Sequence, residues 1–185
     1  MTSLLIVGYG RMGKLVDQLS ESYGFDVAGR LDIDNNRGGL GITKEQLRGV
    51  DVAIDFSTAE AISDNLPRLA EHGVNLVVGT TGWLDQEEAM RKLAADAGIG
   101  VVAAANFSLG VNLFLALSAR AAELFRSREE FGAWIHETHH AAKLDAPSGT
   151  ALAMKHSMTQ SGYTGTVDVS SSRVGSAPGT HTVGF

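Results

Sequence analysis

Leu4-Leu5-Ile6-Val7 is an unbroken apolar run that stops at Gly8, as expected for a short strand buried on both faces. Further strand-like runs fall at 25–31, 50–57, 74–78 and 99–103. Between them lie helical stretches at 14–22, 59–72 and 85–97, with Ser57 or Thr58 placed to cap the second. This alternation predicts an α/β fold whose first part is a parallel sheet with helices on both faces.

Beyond residue 108 the pattern changes. Residues 109–125 form a strongly apolar helix with Leu113, Leu117, Ala121 and Leu124 on one face, which suits a buried connecting helix. A strand at 131–137, a polar loop and a helix at 148–160 follow. Residues 166–174 alternate as a strand, 175–179 turn, and 180–185 begin another strand. The expected organisation is a first domain at 1–107 and a second, smaller mixed α/β domain at 108–185. No internal repeat or low-complexity tract is visible.

The first strand runs into Gly8-Tyr9-Gly10-Arg11-Met12-Gly13, a G-x-G-x-x-G motif between a strand and a helix. That context points to dinucleotide binding: a glycine for the tight turn, one for close approach to the pyrophosphate and one for helix packing. Asp32 lies 19 residues after Gly13, where an acid binds the adenosine ribose and disfavours a 2′-phosphate. Arg11 is a candidate neighbour of the adenosine phosphate, whereas Arg37 reads as a solvated loop cation. Ligands of such sheets sit beyond the carboxyl ends of the strands. Gly79-Thr80-Thr81 and Ala104-Ala105-Asn106-Phe107 fall on that rim, as does Phe56. Phe56 and Phe107 suit either a nicotinamide wall or the core.

The second chemical cluster runs from Glu137 to Thr150 and holds His139, His140 and Lys143. Imidazole exchanges protons near neutral pH, and lysine supplies a cation or, when desolvated, an acid. Ser148-Gly149-Thr150, after Pro147 and before Ala151-Leu152-Ala153-Met154, reads as a helix start whose free amides favour an anion. Together these predict a site that holds a carboxylate and delivers a proton beside it. A metal is not expected, because His136 and His139 should face opposite sides of a strand and no H-E-x-x-H spacing occurs. His72 and His156 read as solvated helix residues. His181 suits the cleft or the surface equally, and Arg173 and Gly175 are expected near the substrate cleft with no firm role.

The 185 residues suffice for one large or two small domains. No apolar run approaches the ~20 residues that cross a bilayer, and Met1-Thr2-Ser3 leads straight into a strand, leaving no room for a signal peptide. With no cysteine there is no thiol chemistry, which is compatible with the cytoplasm. A net charge of −6 without a basic block argues against nucleic acid. Neither a membrane nor a nucleic-acid partner is expected.

Taken together, Gly8-x-Gly10-Arg11-Met12-Gly13, Asp55-Phe56-Ser57, Gly79-Thr80-Thr81-Gly82, Ala105-Asn106-Phe107-Ser108-x-Gly110-Val111-Asn112 and Glu137-x-His139-His140-x-x-Lys143-x-Asp145-Ala146-Pro147-Ser148-Gly149-Thr150-Ala151 resemble the dihydrodipicolinate reductase family. These are the 4-hydroxy-tetrahydrodipicolinate reductases of bacterial lysine biosynthesis. The resemblance implies a Rossmann-type domain, a substrate domain that also builds a homotetramer, a cytoplasmic enzyme, and NADH or NADPH as cofactor. It assigns the cofactor to Gly8, Tyr9, Gly10, Arg11, Met12, Gly13, Asp32, Gly79, Thr80, Thr81, Ala104, Ala105, Asn106 and Phe107. His139 and Lys143 become the proton-transferring residues, and His140, Gly149 and Thr150 bind a cyclic imine dicarboxylate. Two departures stand out. Ile33 replaces the arginine that follows the ribose-binding acid in enterobacterial members, which favours NADH. Members of the family also run on past the position of Phe185, so the second domain is expected to be C-terminally incomplete. The alternatives are another dehydrogenase on the same fold, or a protein that binds NADH without turnover.

Overall fold

The carboxyl ends of five parallel strands lie level with one another in the computed structural model, which describes residues 1–185 except the side chain of Leu84. The strands are β1 (Thr2–Val7), β2 (Phe25–Leu31), β3 (Val52–Asp55), β4 (Asn75–Val78) and β5 (Val101–Ala103), in the order β2-β1-β3-β4-β5. Val7 is in register with Leu31 on one side and Asp55 on the other; Asp55 is opposite Val78, and Val78 opposite Ala103. Gly8, Asp32, Phe56, Gly79 and Ala104 therefore each leave the sheet one residue later, along a single rim.

Helices α1 (Arg11–Ser20), α2 (Ala59–Glu71) and α3 (Glu87–Ala97) connect the strands. The core of this unit joins Leu5, Val7, Ala53, Leu76 and Val78 of the sheet to Ile62, Leu66 and Leu69 of α2. Several elements differ from the sequence expectation at their ends. The first helix begins at Arg11, directly on the glycine turn, and closes in a short 3-10 turn at Glu21–Tyr23. Strand β3 is half the expected length because the amide of Ser57 turns back onto Oδ1 of Asp55.

The chain divides into two compact units, Met1–Ala105 and Asn106–Phe185. The divide falls two residues before the expected one, because Asn106 belongs to the cap of the next helix, α4 (Leu109–Phe125). Oδ1 of Asn106 accepts from the Ser108 amide, and its carbonyl accepts from Asn112. The second unit then runs β6 (Ala133–His139), α5 (Gly149–Gln160), β7 (Val167–Arg173) and β8 (Thr180–Gly184). Its sheet has the order β7-β6-β8, with β7 parallel and β8 antiparallel to β6. Ala133 and Ile135 pack on Met154 and Met158 of α5 and on Ala122 of α4.

Helix α4 corrects the sequence reading. Leu109, Leu113, Leu117 and Leu124 are 61–73% exposed, so the face expected to be buried is open. The opposite stripe, Phe114, Ser118, Ala122 and Phe125, faces the core. Ser118 and Ala122 are small, which suits close approach to α5. A helix apolar on every side gives no moment from which to choose the inner face.

Candidate active site

The rim of the first unit builds a cradle from close backbone contacts. A Cβ on Gly8, whose φ is +87°, would sit 2.5 Å from the backbone of Phe56. On Gly13 it would meet the carbonyl of Gly8 at 2.2 Å, and on Gly79 the ring of Phe56 at 2.0 Å. Gly10 has open space in front of it. Gly10, Arg11, Met12, Phe56, Ser57, Thr58, Gly79, Thr80 and Thr81 line one cavity of about 300 Å³. A second, of about 120 Å³, lies among Thr80, Thr81, Trp83 and Ala103, Ala104 and Ala105.

A dinucleotide fits this cradle. Helices α2, α4 and α5 are capped by the side chains of Thr58, Ser108 and Ser148. Helix α1 has no side-chain cap and no acid in its first turn. Its amides and positive dipole end are left for an anion such as a pyrophosphate. Asp55, fully buried, ties the rim together: its carboxylate accepts from the Ser57 amide and hydroxyl, Asn65 Nδ2 and Thr80 Oγ1. Thr80 is thereby a buried strut of the rim.

Asp32 stands exposed at the end of β2, with Oδ1 on the Ile33 amide. Arg30 is held away from solvent anions by a bidentate contact to Asp17, at 2.6 and 2.5 Å, and the Tyr9 hydroxyl donates to the same carboxylate. The Arg30 contact holds the Asp17 carboxyl below its ordinary range. Asn106 and Phe107 lie in the second unit, and Phe107 is 47% exposed.

In the second unit, strand β6 extends two residues further than expected and carries His139 at its end, in register with Arg173 of β7. Alternation puts Ala133, Ile135, Glu137 and His139 on the inner face and His136 on the other. Nδ1 of His136 contacts Ser170 Oγ at 2.9 Å. Glu137 is fully buried. Its Oε1 accepts from Arg173 Nη2 (2.9 Å) and from the Ser148 amide (3.2 Å). Its Oε2 lies 2.5 Å from Nδ1 of His139 and 4.0 Å from Nε2 of His181. The 2.5 Å contact is off the line of a hydrogen bond, and neither Oε2 nor Nδ1 has another hydrogen-bond partner among the described residues. Leaving either unpaired would cost roughly 1–3 kcal/mol. Burial pushes the Glu137 carboxyl up, but hydrogen bonds from Ser171, Arg173 and Ser148 outweigh it and hold the group down at about 2. His181, whose Nε2 meets Ser148 Oγ at 3.1 Å, is pushed down by burial and by His139.

Arg173 also fastens the loop. Its Nε donates to the Lys143 carbonyl (3.2 Å) and its Nη2 to the Asp145 carbonyl (2.5 Å). Lys143 Nζ pairs with Asp145 Oδ1 at 2.7 Å, and that contact holds the Asp145 carboxyl below its ordinary range. His140 is exposed and closes a turn through its carbonyl, which accepts from the Lys143 amide. The loop ends in a cis Ala146–Pro147 peptide, and Ser148 then caps α5 through the Ala151 amide. Gly149 and Thr150 occupy the first two helical positions, whose amides point out of the helix start.

The structure thus brings His139, Lys143, Gly149 and Thr150 to one end of the second sheet and adds Glu137, Arg173 and His181. Glu137 was legible in principle, since a residue two before His139 on a strand shares its face. Arg173 and His181, expected near the cleft without a role, come from distant strands, and no local signal tied them to Glu137. Glu137, His139 and His181 place one ligand atom each within 4.8 Å of one another. The Arg173 cation on the same carboxylate opposes a second cation there, so the cluster reads as a proton network.

The dihydrodipicolinate reductase N-terminal family model matches residues 2–107, and the C-terminal model matches residues 110–185. A 4-hydroxy-tetrahydrodipicolinate reductase of Christiangramia forsetii is 31% identical over 194 residues, covering 99% of this chain and 79% of the relative. One from Zymomonas mobilis is 34% identical over 201 residues, covering 98% and 78%. Among solved structures, the dipicolinate-bound dihydrodipicolinate reductase of Paenisporosarcina sp. TG-14 superposes with a TM-score of 0.79 at 22% identity, covering 99% of this chain and 82% of that one. An aspartate dehydrogenase from Thermotoga maritima shares the fold with a TM-score of 0.57 at 14% identity, covering 99% of this chain and 83% of its own. With both family models matched in order along nearly the whole sequence, this chain belongs to the dihydrodipicolinate reductase family.

Proposed function

We propose that this chain catalyses the NAD(P)H-dependent reduction of 4-hydroxy-tetrahydrodipicolinate, through dihydrodipicolinate, to tetrahydrodipicolinate in the diaminopimelate route to lysine. The observation that carries this reading is the end of the second sheet, where His139, Lys143 and the capped start of α5 converge.

The cofactor is held by Gly8 to Gly13, with the α1 amides on its pyrophosphate, and by Asp32 on the ribose. Gly79 to Thr81 and Ala104 to Phe107 take the nicotinamide end. When bound, the reduced nicotinamide supplies a hydride to a ring carbon of the conjugated imine. Gly149 and Thr150 hold one substrate carboxylate on their amides, with Lys143 adding positive charge beside it and His140 a ring nitrogen for hydrogen bonding. Lys143 must leave Asp145 to do so. His139 or Lys143 delivers the proton to the neighbouring ring carbon. Hydride transfer needs its two carbons held together, so turnover requires both units. Asp32 followed by Ile33, with Arg30 engaged by Asp17, favours NADH over NADPH. The chain works in the cytoplasm as a homotetramer.

Calorimetry with dipicolinate, a planar unreactive analogue, tests the substrate half. Lys143→Ala is expected to weaken dipicolinate about tenfold to a hundredfold, the worth of one charge-assisted contact, with NADH affinity unchanged. Equal dipicolinate affinity in both proteins would contradict the assignment.

A further inference from the structure

We propose that Glu137 is the positioning residue of the reaction: it accepts from Nδ1 of His139 and so holds that imidazole in the tautomer whose Nε2 exchanges a proton with substrate. The proposal rests on the reading of His139 as a proton-transferring group.

The Glu137 carboxylate is fully buried, so each of its oxygens needs a partner. Oε1 of Glu137 is already occupied by Arg173 and by the Ser148 amide, and the Ser171 hydroxyl, opposite Glu137 on β7, steadies the same carboxylate. Oε2 has Nδ1 of His139 at 2.5 Å, and neither atom has another hydrogen-bond partner among the described residues. The 2.5 Å separation puts the two atoms within hydrogen-bonding reach. His181 does not compete, because its Nε2 is 4.0 Å from Oε2 and engages Ser148 Oγ instead. The His139 ring is boxed edge-to-face by His181, with centroids 5.2 Å apart. Its Nε2 edge lies against Gly179, where a Cβ would stand 2.8 Å from Nε2. The ring therefore has a fixed Nδ1 side, set by charge, and a fixed Nε2 side. A carboxylate in that place also stabilises the imidazolium that forms when Nε2 takes a proton. The charged and titratable groups around the pair are Arg173 from β7, His181 from β8 and Lys143 from the loop.

The test is a kinetic cycle of Glu137→Gln, His139→Ala and the double variant, each checked for folding by thermal melting and for NADH affinity. Glu137→Gln is expected to lower kcat about 100-fold, in the range of lost second-layer partners, with NADH affinity unchanged. The double variant should be no slower than His139→Ala alone, since the two act through one group. A wild-type kcat in Glu137→Gln overturns the proposal, as does a double variant slowed by the full product of the singles. If His139→Ala itself keeps full turnover, the parent reading of His139 falls and this proposal with it. If Glu137→Gln does not fold, 15N-edited NMR of the unmodified protein decides. A His139 signal protonated at Nδ1, with its proton far downfield, is the expected result, and an Nε2-protonated tautomer overturns it.

Discussion

Arg173 Nη2 donates at once to Oε1 of the buried Glu137 and to the carbonyl of Asp145, and so joins the sheet to the loop that carries Lys143. Replacing it with Met removes a cation from a buried pair and a clamp from the loop. Loss of one partner of such a pair costs roughly 3–5 kcal/mol. Arg173→Met is therefore expected to lower the melting temperature of the second unit and to raise KM for substrate. Calorimetric melting with steady-state kinetics checks both.

Acid should destabilise the second unit through Glu137. Its folded value, about 2, lies below the ordinary carboxylate value, so the unfolded chain binds the proton first as pH falls. Stability from this group is complete above the ordinary carboxylate range and is lost as pH drops from about 4 through about 2. His181, pushed down in the fold, adds loss of the same sign below its ordinary value. Urea midpoints measured against pH should fall on this limb, and Glu137→Gln should flatten it.

Gly179→Ala should act on chemistry more than on stability. The added Cβ would sit 2.8 Å from Nε2 of His139, and the ring cannot yield without leaving Glu137. A drop in kcat of about tenfold or more, the cost expected for a displaced catalytic group, is the predicted result, with melting temperature changed little.

Gly79→Ala and Gly8→Ala should abolish NADH binding while sparing the second unit. Each Cβ meets Phe56 at 2.0 and 2.5 Å respectively, and Gly8 also holds a φ of +87°. Fluorescence titration with NADH checks this, and dipicolinate binding to the same proteins should persist.

Lys143→Ala should lower turnover by orders of magnitude, the scale of a lost proton donor or substrate cation, with the NADH dissociation constant unchanged. Equal losses in both would show that Lys143 serves the first unit as well.

The order of strands and helices, the glycine cradle and the His-Lys segment were legible in the sequence because each rests on local periodicity or a contiguous motif. The end of β6 was not, since the bound drawn at Glu137 moves to His139 only through pairing with Arg173 on β7. The roles of Glu137, Arg173 and His181 depend on three strands that only the tertiary fold brings together. The inner face of α4 was misread for a similar reason. Leu113 and Leu117 are as apolar as Phe114 and Leu115, and only packing against α5 and the sheet decides which side turns in.

The most direct measurement is the loss of NADH absorbance when this chain is given enzymatically generated dihydrodipicolinate. Substrate-dependent NADH oxidation that dipicolinate inhibits is the expected result. NADH binding without any oxidation, in a folded protein, would contradict it.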